Sequence, residues 1–134
     1  MGSVNRYLYG EFETAPTVEN LCDTFNKALE EGIVDPLILI PVFIHDFLCI
    51  HPFRDGNGRM SRLLTTLLLY RSGYYVGKYV SLEAKIARIK DLYYDALGES
   101  QNGWHEGKDD PTPFIRYLLS IVDMAYKDFE DRLE

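Results

Sequence analysis

The apolar segment PLILIPVFIHDFLCI, residues 36–50, constrains the fold more than any other part of the chain. A helix that is apolar on nearly every side belongs at the centre of a bundle, because it has no face suited to water. Asp35 and Pro36 predict where this helix begins, since Asp is a favoured N-cap and Pro a favoured first helical residue. The segment is shorter than the roughly 20 apolar residues that span a bilayer. We therefore expect a buried central helix and no membrane contact.

Four other stretches have apolar residues at the three- and four-residue spacing of an amphipathic helix. They begin near Thr17, Met60, Ser81 and Thr112. Residues 5–14 alternate loosely between polar and apolar types, which leaves room there for a short β-hairpin or an extended edge. The sequence therefore predicts one compact all-α domain of about five helices, with a short N-terminal β-hairpin as its only candidate for strand structure.

The length and charge of the chain limit the class of protein. Its 134 residues fit a single domain, residues 1–134, and its 46% hydrophobic and 26% charged content is ordinary for a soluble globular protein. The formal net charge of −7 argues against nucleic-acid binding, which usually needs a basic face. Cys22 and Cys49 are too few for a disulfide framework, so we expect buried thiols. The chain shows no signal peptide, and we expect a cytoplasmic protein.

A polar run, HPFRDGNGRMSR at residues 51–62, follows the central helix directly. It ends in a new helix, and a helix N-terminus attracts phosphate through its unpaired N–H groups and its partial positive charge. Glycines let the backbone approach an anion closely, and an asparagine adds a side-chain hydrogen-bond donor. Arginines three residues apart can bind several phosphate oxygens. The run therefore predicts a polyphosphate site made by Gly56, Asn57, Gly58, Arg59 and Arg62.

Two further residues of the run add chemistry to phosphate binding. Asp55 supplies the carboxylate that a phosphate-bound Mg²⁺ commonly takes from a protein. His51 ends the central helix beside the anion site and has the imidazole that suits a general base near neutral pH. Either residue alone is explained by a structural role in a capped turn. Their combination with the glycines and arginines in one run favours a Mg²⁺–polyphosphate site with a base.

The run resembles the signature of the Fic family, His-x-Phe-x-(Asp/Glu)-Gly-Asn-Gly-Arg-x-x-Arg. Every specified position is filled, by His51, Phe53, Asp55, Gly56, Asn57, Gly58, Arg59 and Arg62. The flanking helices and the stretch DPTPFIRYLL extend the similarity over about residues 5–125. The resemblance implies a Fic-type catalytic domain cut from a longer protein, with residues 1–3 as candidate cloning remnants. It also implies transfer of AMP from ATP to a Tyr, Ser or Thr hydroxyl of a target protein.

The resemblance gives each motif residue a role. His51 would remove the proton from the target hydroxyl, and Asp55 would hold Mg²⁺ against the α- and β-phosphates. Phe53 would anchor the loop in the core. The expected catalytic residues are His51, Asp55 and Arg59. The anion hole and the contacts to the outer phosphates would come from Gly56, Asn57, Gly58, Arg59 and Arg62.

Positions outside the motif carry less specific expectations. In similar proteins a Tyr and a Leu of one later helix line the adenine pocket, and the matching residues here are Tyr94 and Leu97. Tyr93 lies on the apolar stripe of that helix and is expected in the core, and His45 is expected to be a hydrogen-bonded core residue. Residues 7–14 would form the flap that aligns a target peptide by adding a strand.

Several functions of this site stay open. Gly58 favours nucleotidyl transfer, because similar phosphotransferases of the Doc type usually have Lys there. Another nucleotide or phosphate-linked donor, removal of AMP from a modified target, or a catalytically idle binding module would use the same motif. The expected partners are ATP, a target protein with an acceptor hydroxyl, an inhibitory helix or antitoxin-like protein, and a second copy in a homodimer. The family's inhibitory pattern Ser/Thr-x-x-x-Glu-Gly/Asn, whose glutamate would pair with Arg62, does not occur in the chain.

Overall fold

A computed structural model describes residues 2–88 and 90–133 of the chain, with side chains from Pro16 onward except that of His105. Over these ranges it has six α-helices, two short 3₁₀ helices and no strand, so the predicted all-α fold is confirmed. None of the described helices is both long and apolar enough to cross a membrane. The elements are α1 (Gly2–Glu31), α2 (Pro36–Ile50), α3 (Asn57–Arg71), α4 (Leu82–Arg88), α5 (Lys90–Gln101) and α6 (Thr112–Leu133), with 3₁₀ helices at Tyr75–Lys78 and Trp104–Glu106.

Helix α2 lies at the centre of the molecule, as its sequence predicts. The Asp35 carboxylate accepts a hydrogen bond from the Leu37 N–H group at 2.8 Å, which caps the start of the helix. Helices α1, α3, α5 and α6 all pack against α2. Their apolar side chains join those of α2 in one core cluster, which includes Phe25, Ile40, Ile44, Leu69, Tyr93, Phe114 and Leu118. The loop that follows α2 therefore leaves from a fixed position.

The expected N-terminal hairpin over residues 5–14, and with it the flap at 7–14, is wrong, because α1 runs through this stretch as one helix. Loose alternation over a few residues is a weak strand signal when no partner strand is specified. The single glycine there, Gly10, costs a helix only about 1 kcal/mol. Once a helix has nucleated, each added residue gains a backbone hydrogen bond. The helix expected from Thr17 onward therefore extends back toward the N-terminus.

The helix expected after Ser81 is present as α4 and α5, which lie on either side of Ile89, a residue outside the described ones. Ser81 Oγ accepts a hydrogen bond from the Ala84 N–H group at 3.0 Å and caps α4. Tyr93 and Leu97 of α5 are both buried in the core cluster, so α5 presents the apolar stripe that its sequence predicts.

Two side chains from outside the helix hold the start of α6. The Asp110 carboxylate accepts hydrogen bonds from the Thr112 N–H group at 3.0 Å and from the Thr112 hydroxyl at 2.6 Å. Ser100, fully buried near the end of α5, accepts a hydrogen bond from the Phe114 N–H group at 2.9 Å. First-turn N–H groups have no partner within their own helix, so these bonds satisfy two of them. They also fasten α5 to α6.

Candidate active site

Helix α2 ends at His51, whose backbone is left-handed, with φ 55° and ψ 61°. Its N–H group donates to the Phe47 carbonyl at 3.0 Å, so the helix closes with an ordinary hydrogen bond before the chain turns. Among the described residues, His51 is the single non-glycine with positive φ. This conformation costs an L-residue about 1–2 kcal/mol. Backbone strain of this kind is concentrated at functional sites, which makes His51 the first candidate for chemistry.

The loop after His51 is closed by the side chain of Asn57. The Asn57 Nδ2 atom donates to the Phe53 carbonyl at 2.6 Å, and its Oδ1 atom accepts from the Phe53 N–H group at 3.0 Å. Asn57 is buried. The amide therefore bonds within the loop. The prediction that it donates to an anion does not describe this arrangement. Asn57 is also the first residue of α3, and its contribution to an anion site is its backbone N–H group.

Gly56 and Gly58 serve the site for different reasons. Gly56 precedes α3 with φ 83° and ψ 7°, a left-handed conformation that favours glycine. Gly58 lies inside α3, and a Cβ atom placed on it would lie 3.2 Å from Arg62 Nη1. Of these two glycines, Gly56 alone has a positive φ. Gly58 instead leaves room for the Arg62 guanidinium group against the backbone.

Positive charge collects at this first turn of α3. Arg62 lies against Gly58, and Arg59 Nη2 lies 4.0 Å from the Cβ position of Gly56. The first hydrogen bond within α3 joins the Met60 N–H group to the Gly56 carbonyl at 2.9 Å, so earlier N–H groups have no partner within the helix. Two guanidinium groups beside a helix N-terminus are a favourable environment for a polyphosphate.

Two other motif residues lie on the loop itself. Asp55 is exposed, and its Oδ1 atom accepts a hydrogen bond from the Gly56 N–H group at 2.8 Å. Phe53 was expected to anchor the loop in the core, but 46% of it is exposed. Its ring centroid lies 6.4 Å from that of Phe47. The reciprocal bonds of Asn57 hold this loop more directly than Phe53 does.

A cleft of about 800 Å³ brings the motif together with α5. His51, Asn57 and Gly58 line it, and Tyr94 and Leu97 of α5 line it as well. The two predicted residues outside the motif therefore share a cleft with His51 and the start of α3. The predicted residues Asp55, Gly56, Arg59 and Arg62 do not line it and lie on the neighbouring loop and helix turn. Tyr93, which was expected in the core, also lines the cleft. The remaining lining residues, which the sequence did not point to, are Leu48, Gly98, Glu99, Gln101 and Asn102.

A polar contact missed by the sequence analysis fixes α5 to the first turn of α3. Ser61 is fully buried, and its hydroxyl donates to the Gly58 carbonyl at 2.8 Å. The same hydroxyl lies 3.4 Å from Tyr93 Oη. Burial raises the pKa of Tyr93 above its ordinary value, while the Ser61 hydrogen bond and the charge of Arg62 oppose the rise. Tyr93 is thus a neutral core residue that positions the exposed Tyr94 beside the cleft.

Comparisons with known proteins point to one family. Residues 3–69 match the family model described as the Fic/DOC family. The chain is 32% identical over 118 residues to a Fido domain-containing protein of Dictyostelium discoideum, covering 88% of this chain and 78% of that protein. It is 35% identical over 111 residues to a protein named protein adenylyltransferase Fic from Nematostella vectensis, covering 79% of this chain and 23% of that protein.

A solved structure is also similar to this one. It is a Fic domain-containing signalling protein from Bacteroides thetaiotaomicron, with a TM-score of 0.68 and 28% sequence identity. The similarity covers 87% of this chain and 44% of that one. The chain thus corresponds to a part of that protein and to less than a quarter of the Nematostella adenylyltransferase, of which it covers 23%.

Proposed function

The chain belongs to the Fic/DOC family, and on this basis we propose that it is a protein adenylyltransferase, which transfers AMP from ATP to a hydroxyl group of a target protein. The observation that carries the proposal is the shared cleft, which His51 lines together with the start of α3 and the residues Tyr94 and Leu97. A base, a phosphate site and an aromatic wall together suit a reaction of a nucleotide. Relatives named protein adenylyltransferase support this class of activity.

The nucleotide would bind along the first turn of α3. Backbone N–H groups of Asn57 and Gly58 would bind the α-phosphate, helped by the positive end of the helix dipole. Arg59 and Arg62 would bind the β- and γ-phosphates through charge-assisted hydrogen bonds. The adenine ring would pack on Tyr94, which is 54% exposed, and on Leu97.

His51 would act as the general base. It would take the proton from a Tyr, Ser or Thr hydroxyl of the target while that oxygen attacks the α-phosphorus. A new phosphorus–oxygen bond would form as the bond from the α-phosphorus to the oxygen that bridges it to the β-phosphorus breaks. Pyrophosphate would leave with its negative charge balanced by Arg59 and Arg62. The products are an AMP-modified target protein and pyrophosphate.

Asp55 is the residue that would hold Mg²⁺. The Gly56 N–H group bonds to one carboxylate oxygen at 2.8 Å, which orients the group and leaves the other oxygen available to an ion. One carboxylate together with phosphate oxygens and water is a common donor set for Mg²⁺, so the residues present fit this ion. When bound, Mg²⁺ would supply positive charge that neutralises the phosphates of ATP.

The strain at His51 favours an enzyme over an idle binding module. A glycine at this position would relieve a conformational cost of about 1–2 kcal/mol. A module that only binds nucleotide needs no base at the end of α2, whereas an adenylyltransferase needs the imidazole beside the phosphate site. The left-handed backbone is therefore understandable if His51 acts on substrate.

The test is incubation of the chain with Mg²⁺ and ATP labelled on either the α- or the γ-phosphate, followed by measurement of its intact mass. We expect self-modification that adds one AMP and retains only the α label. His51→Ala should abolish this gain and leave ATP binding unchanged. Transfer that persists above about a hundredth of the original rate would refute the base role, because such bases contribute about 10²- to 10⁴-fold.

Other outcomes of the same experiment distinguish the remaining alternatives. Addition of a single phosphate with the γ label would indicate phosphoryl transfer. Modification by another nucleotide in place of ATP would keep the site and change the donor. Nucleotide binding without any mass gain, both on the chain and on added protein substrates, would indicate an idle module. Loss of AMP from a modified protein would indicate the reverse activity.

A further inference from the structure

Two buried hydroxyl groups connect α5 to the proposed phosphate site, and neither occupies a specified position of the motif. Ser61 of α3 is fully buried, and Tyr93 of α5 is 3% exposed. The Ser61 hydroxyl donates to the Gly58 carbonyl at 2.8 Å, and Tyr93 Oη lies 3.4 Å from Ser61 Oγ. The core therefore holds this hydroxyl pair, Ser61 and Tyr93, in a fixed place beside Gly58.

The two hydrogen bonds of the hydroxyl pair run in one direction. A carbonyl oxygen only accepts hydrogen bonds, so the single hydroxyl proton of Ser61 points to Gly58. Ser61 Oγ is left to accept, and the Tyr93 hydroxyl donates to it. Burial raises the pKa of Tyr93 above its ordinary value, so this hydroxyl keeps its proton at neutral pH. Donation therefore passes from Tyr93 through Ser61 to the Gly58 carbonyl.

The Gly58 carbonyl belongs to the same peptide group as the Arg59 N–H group. This group is planar, so a hydrogen bond that holds the carbonyl also fixes the direction of the N–H group. The first hydrogen bond within α3 starts from the Met60 N–H group, which leaves the Arg59 N–H group without a partner inside the helix. First-turn N–H groups point toward the N-terminal end of a helix, which is where the phosphates would bind.

We propose that Ser61 and Tyr93 are positioning residues of the phosphate site, which fix the Gly58–Arg59 peptide group so that the Arg59 N–H group donates to a bound phosphate. This inference rests on the proposed function, because it deepens the phosphate site described there. Successive hydrogen bonds polarise one another, so donation to the carbonyl also makes the N–H group of the same peptide a stronger donor. The hydroxyl pair acts through the backbone, without contact between either hydroxyl and the nucleotide.

The position of the hydroxyl pair separates it from an ordinary serine in a helix. A serine bonded to the carbonyl three residues earlier is common in helices and alone indicates no function. Ser61 differs because its bond lies in the first turn, where N–H groups are free to bind a ligand, and because a second helix donates to it. Thr65 provides the contrast, since its hydroxyl donates to the Ser61 carbonyl at 2.7 Å, one turn farther along α3. There the N–H groups are bonded within the helix.

The test is calorimetric titration of the chain with two parts of the nucleotide. Tripolyphosphate carries phosphates without a base, and adenosine carries the base without phosphates. Ser61→Ala and Tyr93→Phe should each weaken tripolyphosphate binding by about three- to tenfold, the effect of one misaligned hydrogen bond to a charged group. Both variants should bind adenosine as the unaltered chain does. Unchanged tripolyphosphate affinity, or equal losses for both ligands, would overturn the proposal.

Thr65→Val is the matched control for a lost hydroxyl. It removes a buried hydroxyl from the next turn of α3 and keeps the shape of the side chain. We expect unchanged affinity for both ligands. Thermal unfolding of every variant measures stability separately from affinity. If Thr65→Val weakens tripolyphosphate binding as much as Ser61→Ala does, then loss of any hydroxyl from α3 has this effect, and the positioning role of Ser61 is wrong.

The double variant distinguishes action through Ser61 from direct contact with the ligand. Tyr93 lines the cleft, so direct contact is the competing explanation. If Tyr93 acts through Ser61, then Tyr93→Phe should cause no further loss of tripolyphosphate affinity once residue 61 is alanine. A further loss as large as that in the unaltered background would show that the Tyr93 hydroxyl contacts the phosphates itself, and this would overturn the proposal.

These titrations measure binding without transfer, so this inference and the proposed function can fail separately. AMP transfer by the unaltered chain, together with unchanged tripolyphosphate affinity in Ser61→Ala, would refute this inference alone. A selective loss of tripolyphosphate affinity in a chain that transfers no AMP would support this inference and refute the proposed activity.

Discussion

The same substitution, glycine to alanine, should have opposite effects on stability at two positions of the proposed phosphate site. Gly56 has φ 83°, a conformation that alanine rarely adopts. Gly58 is an ordinary residue of the first turn of α3, and the Cβ atom of an alanine there would lie 3.2 Å from Arg62 Nη1. That nitrogen is the end of a flexible side chain, so it can move by the few tenths of an ångström that contact requires.

The two free energies follow from these conformations. Gly56→Ala should destabilise the fold by about 1–2 kcal/mol, the cost of a left-handed L-residue. Gly58→Ala should stabilise it by about 0.5 kcal/mol, since alanine is favoured over glycine in helices by about 0.5–1 kcal/mol and the first turn gains least. For a domain of this size, 1 kcal/mol corresponds to about 4 °C in unfolding temperature. We expect a fall of about 4–8 °C for Gly56→Ala and a rise of about 2 °C for Gly58→Ala.

Nucleotide affinity should fall in both variants. In Gly58→Ala the guanidinium group of Arg62 is displaced from the phosphate site, and weakening one charged hydrogen bond by about 1.4 kcal/mol lowers ATP affinity about tenfold. Thermal unfolding followed by circular dichroism and ATP titration by calorimetry measure the two effects. For the unfolding measurement alone, Gly98→Ala, whose Cβ atom would meet nothing within 4 Å, is the control for the helix preference of alanine.

Two results would refute this reasoning. If Gly58→Ala destabilises the fold as much as Gly56→Ala, then the backbone of Gly58 is constrained in a way that its helical conformation does not explain. If Gly58→Ala binds ATP with full affinity, then the contact of Arg62 with this backbone does not set the position of the guanidinium group.

Three further predictions concern the phosphates, the start of α6 and regulation. Arg59→Ala should weaken ATP binding more than AMP binding in calorimetry, while Arg71→Ala at the other end of α3 should change neither. Equal losses of ATP and AMP affinity in Arg59→Ala would indicate that Arg59 binds the α-phosphate. The hydrogen bonds from Thr112 hold the pKa of Asp110 below its ordinary 3.8. The ionised Asp110 cap therefore stabilises the fold fully above pH 3.8, and this stabilisation is lost as the pH falls through the lowered pKa. Asp110→Ala should therefore lose less stability than the unaltered chain when the pH is lowered. If both lose the same stability in unfolding measurements over this pH range, the role of the cap is contradicted. A synthetic helix with the family's inhibitory pattern should suppress self-modification in trans, and its Glu→Gly version should not; equal effects of both would contradict a glutamate-based brake.

The sequence predicted the elements whose signals are local. Asp35 and Pro36 mark the start of α2, and the apolar residues around the full circumference of this helix place it at the centre. The polar run at 51–62 could be singled out as a candidate site because its residues are neighbours in the chain. The error at residues 5–14 has a local cause as well, since a short alternation and a helical extension compete over the same residues and the sequence gives no partner strand.

Details that depend on packing were not available from the sequence. The Asn57 side chain bonds to Phe53 only because the loop folds back on itself, and spacing alone does not predict that turn. Which face of α5 meets α3 is set by the core, so the Ser61–Tyr93 contact could not be predicted. His45 and Asp109 are far apart in the chain, and the fold alone brings their side chains together.

The left-handed backbone at His51 has a consequence for protein engineering. Because glycine relieves the strain at φ 55°, His51→Gly removes an energetic penalty while it removes the imidazole. Selection of a variant library for heat resistance alone should therefore enrich glycine at this position, which removes the proposed base. Selection for the proposed AMP transfer should retain the histidine and the lower melting temperature that accompanies it. Substitutions that improve thermostability should therefore be sought at positions away from the end of α2. At His51 itself, a gain in stability would come with loss of the proposed activity.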